Sequence, residues 1–153
     1  MTLSTPPLAR ATMLIRRPVA EVFDAFVDPE TTCRFWFSRS SGPLSPGATV
    51  TWYWDHYGVS ADVRVTRLVA HRQIAIEWPT PVEWTFEPRG DDATFVSIVA
   101  SGFTGSEDEQ VAQALDSTEG FNLVVAGCKA YLEHGLVLGL VADKHPQPDA
   151  GGV

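Results

Sequence analysis

The alternation of hydrophobic and polar positions changes period along this chain. Ala9, Ala11, Met13 and Ile15 alternate with Arg10, Thr12 and Arg16, which is the period of a half-buried strand. Pro18 follows at a place suited to the first turn of a helix. Val19, Val22, Phe23 and Phe26 then recur at helical spacing. Asp28-Pro29 ends that helix and can cap a short second one, with Phe35, Trp36 and Phe37 at its far end. Gly42 to Gly47 is a turn-rich connector. Beyond it the period becomes two for roughly fifty residues. Val50, Trp52 and Trp54 share one face of a strand, and Val59, Ala61, Val63 and Val65 share a face of the next. Ile74, Ile76 and Trp78 form a third set, Val82, Trp84 and Phe86 a fourth, and a last strand runs from Thr94 to Ser101.

After Gly105 the period lengthens again. Ser106 with Glu109, and Asp116 with Glu119, both have the form of a capping box. Phe121, Val124, Val125, Cys128, Leu132 and Leu136 fall on one helical face, while Glu119, Asn122, Lys129 and Glu133 are expected to decorate the other. Gly135 is the expected stop. The spacing therefore predicts an α+β fold. A curved six-stranded antiparallel sheet has one face to bury, and the long C-terminal helix is the only element apolar enough to cover it. Two short helices lie between strands one and two. This is a helix-grip arrangement, a single domain over residues 8–140, with 1–7 and 141–153 expected as flexible termini.

The segment RPVAEVFDAFVDPETTCRFWF, the turn Leu44-Ser45-Pro46-Gly47 and the run GFNLVVAGCKAYLEHG together resemble START-like (SRPBCC) domains, of the type found in activators of the heat-shock-protein-90 ATPase. The resemblance covers roughly residues 8–140 and implies the helix-grip fold, with a space between sheet and helix that tends to hold a small molecule. Phe121 stands where that family commonly has Trp. The co-chaperones that gave the family its name carry an additional N-terminal domain, for which this chain leaves no room, so a chaperone partner is not expected.

Composition narrows the function. The 153 residues are 44% hydrophobic and 20% charged, an ordinary globular balance for one domain. A net charge of −8 repels phosphate backbones and anionic headgroups, against nucleic-acid binding and membrane attachment. Two cysteines, Cys33 and Cys128, give no disulfide framework. With no apolar signal-peptide core and no run of apolar residues long enough to span a bilayer, a cytoplasmic protein is expected.

The candidate chemistry is aromatic. Trp52, Trp54, Trp78, Trp84 and Phe86 sit on apolar strand positions, and Phe121, Val125 and Cys128 sit on the apolar helix face. These are the expected ligand-binding residues, large rings facing a helix that also carries Gly120, Ala126, Gly127 and Ala130. Each buried indole N–H needs an acceptor, so several around one space would favour a ligand bearing oxygen. Cys128 is expected to behave as a small hydrophobe. His56, His71, His134 and His145 show no metal-ligand spacing, and neither metal nor cofactor is expected. His56, beside Asp55 in a turn, is the single candidate for catalysis, although a turn histidine is ordinarily just solvated. Asp62 and Arg64 share an outer strand face and predict a surface ion pair. The leading expectation is binding of a small hydrophobic or amphipathic molecule between sheet and helix. The alternatives are a cyclase, dehydratase or hydrolase acting on an aromatic or polyketide-like substrate, which the resemblance allows, and a co-chaperone-like interaction module. Self-pairing as a homodimer is left open.

Overall fold

The computed structural model describes residues 5–146. Strand β1 (Ala9–Ile15) leads into helices α1 (Val19–Val27) and α2 (Pro29–Thr32). Pro18 is the residue that caps α1, and the Asp28 carboxylate caps α2 by accepting the Glu30 N–H at 3.0 Å. Strands β2 (Arg39–Ser40), β3 (Thr49–Trp54), β4 (Val59–Val69), β5 (Gln73–Trp78), β6 (Thr80–Pro88) and β7 (Thr94–Ala100) follow. Helices α3 (Glu107–His134) and α4 (Leu140–Lys144) complete the chain. Every neighbouring strand pair is antiparallel, in the order β1-β7-β6-β5-β4-β3-β2.

The sheet has seven strands where six were expected. The extra one, β2, is two residues long and pairs Arg39 with Tyr53 and Ser40 with Trp52. It covers one edge of the sheet, a task that leaves no mark on hydrophobic period. A bulge in β4 between Val65 and Arg67 shifts the register against β5. The alternation itself holds. Val50, Trp52, Trp54, Val63, Val65, Ile74, Ile76, Val82, Trp84, Phe86, Val96 and Ile98 are all buried on the inner face. Val59 is the exception, exposed at the start of β4. On the outer face Arg64 pairs with Glu77 of β5 rather than with Asp62, whose carboxylate takes the Thr51 hydroxyl at 2.8 Å. Cross-strand partners are closer than same-strand ones across the pleat.

The inner face is covered by α3, which opens at Ser106 with the expected capping box to Glu109. Asp116 and Glu119 lie inside the same helix, so the second capping-box pattern starts nothing. Phe121, Val124, Val125, Gly127 and Cys128 are buried. The helix stops at Gly135 in the left-handed conformation, φ 68°, which leaves Leu136 outside it and exposed.

The polar stripe of α3 has a task beyond solvation. Strand β1 pairs only with β7, so its other edge is open, and α3 side chains close it. Lys129 Nζ donates to the Leu14 carbonyl at 2.8 Å and pairs with Glu133 at 2.6 Å. Glu133 accepts the Arg16 N–H at 2.8 Å, and Asn122 reaches the Arg10 carbonyl at 3.4 Å. Burial alone would raise the Glu133 carboxyl, but the Arg16 N–H and the Lys129 ammonium outweigh it and hold it below the usual carboxylate range. Glu133→Gln keeps the shape and removes the charge, and should cost about 1–3 kcal/mol at pH 7. Because the folded carboxyl is depressed, its contribution is fully present above the unfolded value of about 4.3 and is lost as pH falls through the folded value. Denaturant midpoints of wild type and variant should therefore differ at neutral pH and converge in acid. A gap independent of pH would show that the charge is not what matters.

The C-terminal boundary also differs from expectation. Residues 140–144 form α4 instead of fraying, and α4 packs back along α3. Lys144 pairs with Glu119 at 2.6 Å, Val141 packs against the core, and the Tyr57 hydroxyl donates to the Val141 carbonyl. The termini expected to be flexible lie, at residues 1–4 and 147–153, outside the described residues.

Candidate functional site

The aromatic residues form one continuous cluster with Trp36 at its centre. Trp36 follows α2, and its ring lies 4.8 Å from Trp52, 5.7 Å from Trp78, 6.0 Å from Trp84 and 6.0 Å from Phe121. Trp54 and Trp78 stack with centroids 5.4 Å apart. Phe86 lies 5.3 Å from Phe23 and joins the cluster through Phe26, which is 6.0 Å from Phe86 and 6.1 Å from Trp84. Most of these rings fill the gap between sheet and helix by packing edge to face on one another.

They do not fill all of it. A cleft of about 410 Å³ opens where the ends of β5, β6 and β7 meet the middle of α3. Its apolar walls are Trp36, Trp78, Val82, Phe103, Phe121 and Val141. Asp116, Ser117 and Gly120 on α3, with Pro79 and Thr80 opposite, form its more polar part. Of these, Pro79, Asp116 and Gly120 are exposed and mark the mouth.

Two glycines in one helix, each costing up to about 1 kcal/mol against alanine, call for reasons. At Gly127 the reason is packing, since an added Cβ would sit 3.1 Å from the Cβ of Phe35. At Gly120 a Cβ would meet nothing within 4 Å. No neighbour requires the glycine there, and what it faces is the open cleft.

Of the residues expected to bind ligand, Trp78 and Phe121 line this cleft. Trp52 and Trp84 stand behind it in the ring cluster, and Trp54 borders a separate, smaller pocket of about 170 Å³. Phe86 is packed beneath α1, while Val125 and Cys128 lie wholly inside the core, away from the cleft. Burial pushes the Cys128 thiol up, with Glu21 adding to the effect, so it stays protonated and inert. The Trp84 N–H is the one buried side-chain polar atom without a partner among the described residues, where several indoles were expected to need one.

His56 lies in the exposed turn between β3 and β4, with its ring 4.8 Å from Tyr57. Asp55, the carboxylate beside it in sequence, pairs with Arg39 at 3.1 Å. His56 borders the smaller pocket and not the main cleft. No group of His, Cys, Asp and Glu able to hold a metal occurs among the described residues.

Sequence periodicity did not single out Trp36, Phe103, Asp116 or Val141. For Trp36 a signal existed, the aromatic triplet Phe35-Trp36-Phe37 in a segment too short to bury it by itself. Phe103 and Val141 sit in a loop and in the supposed tail, where no period applies.

Comparison with known proteins agrees with this fold. The chain is 31% identical to protein SSP2350 from Staphylococcus saprophyticus, with a TM-score of 0.76 over 86% of this chain and 95% of that one. DynU16, from the dynemicin biosynthetic locus, is 22% identical with a TM-score of 0.74, over 87% of this chain and 49% of that one. The Aha1 dimer from Colwellia psychrerythraea has a subunit 18% identical, with a TM-score of 0.70 over 84% of this chain and 97% of that one. No curated protein matches the chain. The family model for activator of Hsp90 ATPase homolog 1-like proteins matches residues 16–133. Its strand order, its covering helix and this match over most of its length make the chain a START-like domain that belongs to the activator of Hsp90 ATPase homolog 1-like family.

Proposed function

We propose that the protein binds a small hydrophobic or amphipathic molecule in the cleft between the sheet ends and α3. The observation that carries this reading is the unfilled, aromatic-walled space of about 410 Å³, a size suited to a small organic ligand. The helix glycine at its mouth, which packing does not require, supports it. So does the likeness to DynU16, a protein in the dynemicin biosynthetic locus. Binding is favoured over catalysis because, among the described residues, Asp116 is the only titratable side chain in the lining. Acid–base chemistry on a bound substrate ordinarily needs a second group within reach.

A screen of aromatic, fatty and polyketide-like compounds tests the proposal. A ligand that saturates the folded state should raise the melting temperature and change tryptophan emission, because Trp36 and Trp78 form the wall. A folded protein that no compound in the screen affects would refute it.

A second reading has one specific observation behind it. Leu136, Val137 and Leu138 run exposed between α3 and α4, at 52%, 59% and 46%. Such a run is a candidate contact for a second copy of the chain, and the Colwellia relative is described as a dimer. Sedimentation of wild type and of a Val137→Asp variant would separate a dimer through this run from a monomer.

A further inference from the structure

The cleft carries a chemical asymmetry that bears on what it holds. Its walls present the rings of Trp36, Trp78, Phe103 and Phe121, and its polar part is Thr80, Asp116 and Ser117. One of these residues is charged, and that charge is negative. Among the described residues no Lys, Arg or His lines the space.

The Asp116 carboxylate has no ion pair or hydrogen bond among the described residues. The nearby cation on α4, Lys144, is engaged by Glu119 at 2.6 Å, three residues further along α3. Asp116 therefore stands at the mouth of an aromatic space with its charge unmatched. Ring faces carry negative potential and attract cations, most strongly when the rings are indoles. A carboxylate beside such rings adds Coulomb attraction of the same sign. The protein's net charge of −8 draws cations toward it at longer range and repels anions. Each of these three features disfavours a carboxylate or phosphate ligand.

We propose that the ligand is an organic cation, an amphipathic amine. Its apolar body lies among Trp36, Trp78, Phe103 and Phe121, and its ammonium group sits at the mouth against Asp116. Ser117 and Thr80 offer hydroxyl oxygens that can accept from the same ammonium. This deepens the proposed binding function and rests on it.

Three probes with one apolar body isolate the charge: 4-phenylbutylamine, 4-phenylbutanol and 4-phenylbutanoate, titrated at pH 7.5 with tryptophan emission as readout. The amine should bind up to about fivefold more tightly than the alcohol, the effect of one solvent-screened ion pair with Asp116. The carboxylate should bind most weakly. In Asp116→Asn the amine should lose most of its advantage while the alcohol binds as before. That exposed variant's circular dichroism and melting temperature should match wild type. Raising salt should narrow the gap between amine and alcohol in the wild type. Equal binding of amine and alcohol, or tightest binding of the carboxylate, would overturn the cation proposal and leave the binding function standing. An advantage for the amine that survives in Asp116→Asn would also overturn it. Failure of all three probes to bind the folded protein would count against both.

Discussion

Replacing Phe121 by Ala is expected to lower the unfolding free energy by about 3 kcal/mol, at the low end of the range for removing a large buried ring. Phe121 is 5% exposed and lies 6.0 Å from Trp36 and 6.2 Å from both Trp78 and Trp84, centroid to centroid. Its removal withdraws the helix from three rings of the sheet-side cluster at once. The low end is expected because one side of the ring already faces the cleft, where no partner atoms are lost. Val125→Ala removes two methyl groups from a site fully enclosed by core and should cost less, roughly 1.5–3 kcal/mol. Urea denaturation gives both values. A Phe121→Ala midpoint equal to wild type would mean that α3 does not hold the sheet through this face.

The second large effect separates folding from function at a single position. Gly120→Leu should leave the protein as stable as wild type or raise stability by up to about 1 kcal/mol, because Leu is a far better helix former than Gly. Its Cβ meets nothing within 4 Å, so no neighbour has to move. The new side chain occupies the mouth of the cleft, and any ligand that raises the melting temperature of the wild type should bind at least tenfold more weakly. Melting curves with and without ligand read both quantities. Undiminished affinity in a folded Gly120→Leu protein would place the ligand elsewhere. Gly127→Leu should behave in the opposite way and destabilise, since Phe35 already stands 3.1 Å from where its Cβ would lie.

Much of the fold was legible because burial on one side imposes a period. The inner face of β3 to β7 reads directly from Val50 to Ala100 as alternation, and the buried face of α3 reads from Phe121 to Cys128 at spacings of three and four. The Ser106 cap and the Gly135 stop were equally visible, since both are satisfied within a few residues. The family resemblance rested on short stretches of this kind and agreed with the family match over residues 16–133.

Aromatic residues on apolar positions were easily found, but their division between packing and lining was not. Trp52 and Trp78 look alike in sequence, each on the inward face of a strand. Only Trp78, near the end of β5, reaches the part of the sheet that α3 leaves uncovered. Gly120 and Gly127 likewise look equivalent along the helix, yet one faces Phe35 and the other faces open space.

The sequence by itself determined the elements, the inward face of each and the presence of an aromatic core, because these follow from contacts whose pattern repeats locally along the chain. Tertiary structure alone decided which residues meet across long separations. It turned Asn122, Lys129 and Glu133 from a solvent-facing stripe into the seal on the open edge of β1. It folded the polar tail into α4 by way of Lys144–Glu119 and Tyr57–Val141. It also brought Trp36, Phe103 and Asp116, from three unrelated segments, to one cleft. The physical reason is the same in each case. A half-buried element advertises its burial through periodicity, whereas an edge, a strap or a cleft is defined by the single place where distant segments converge.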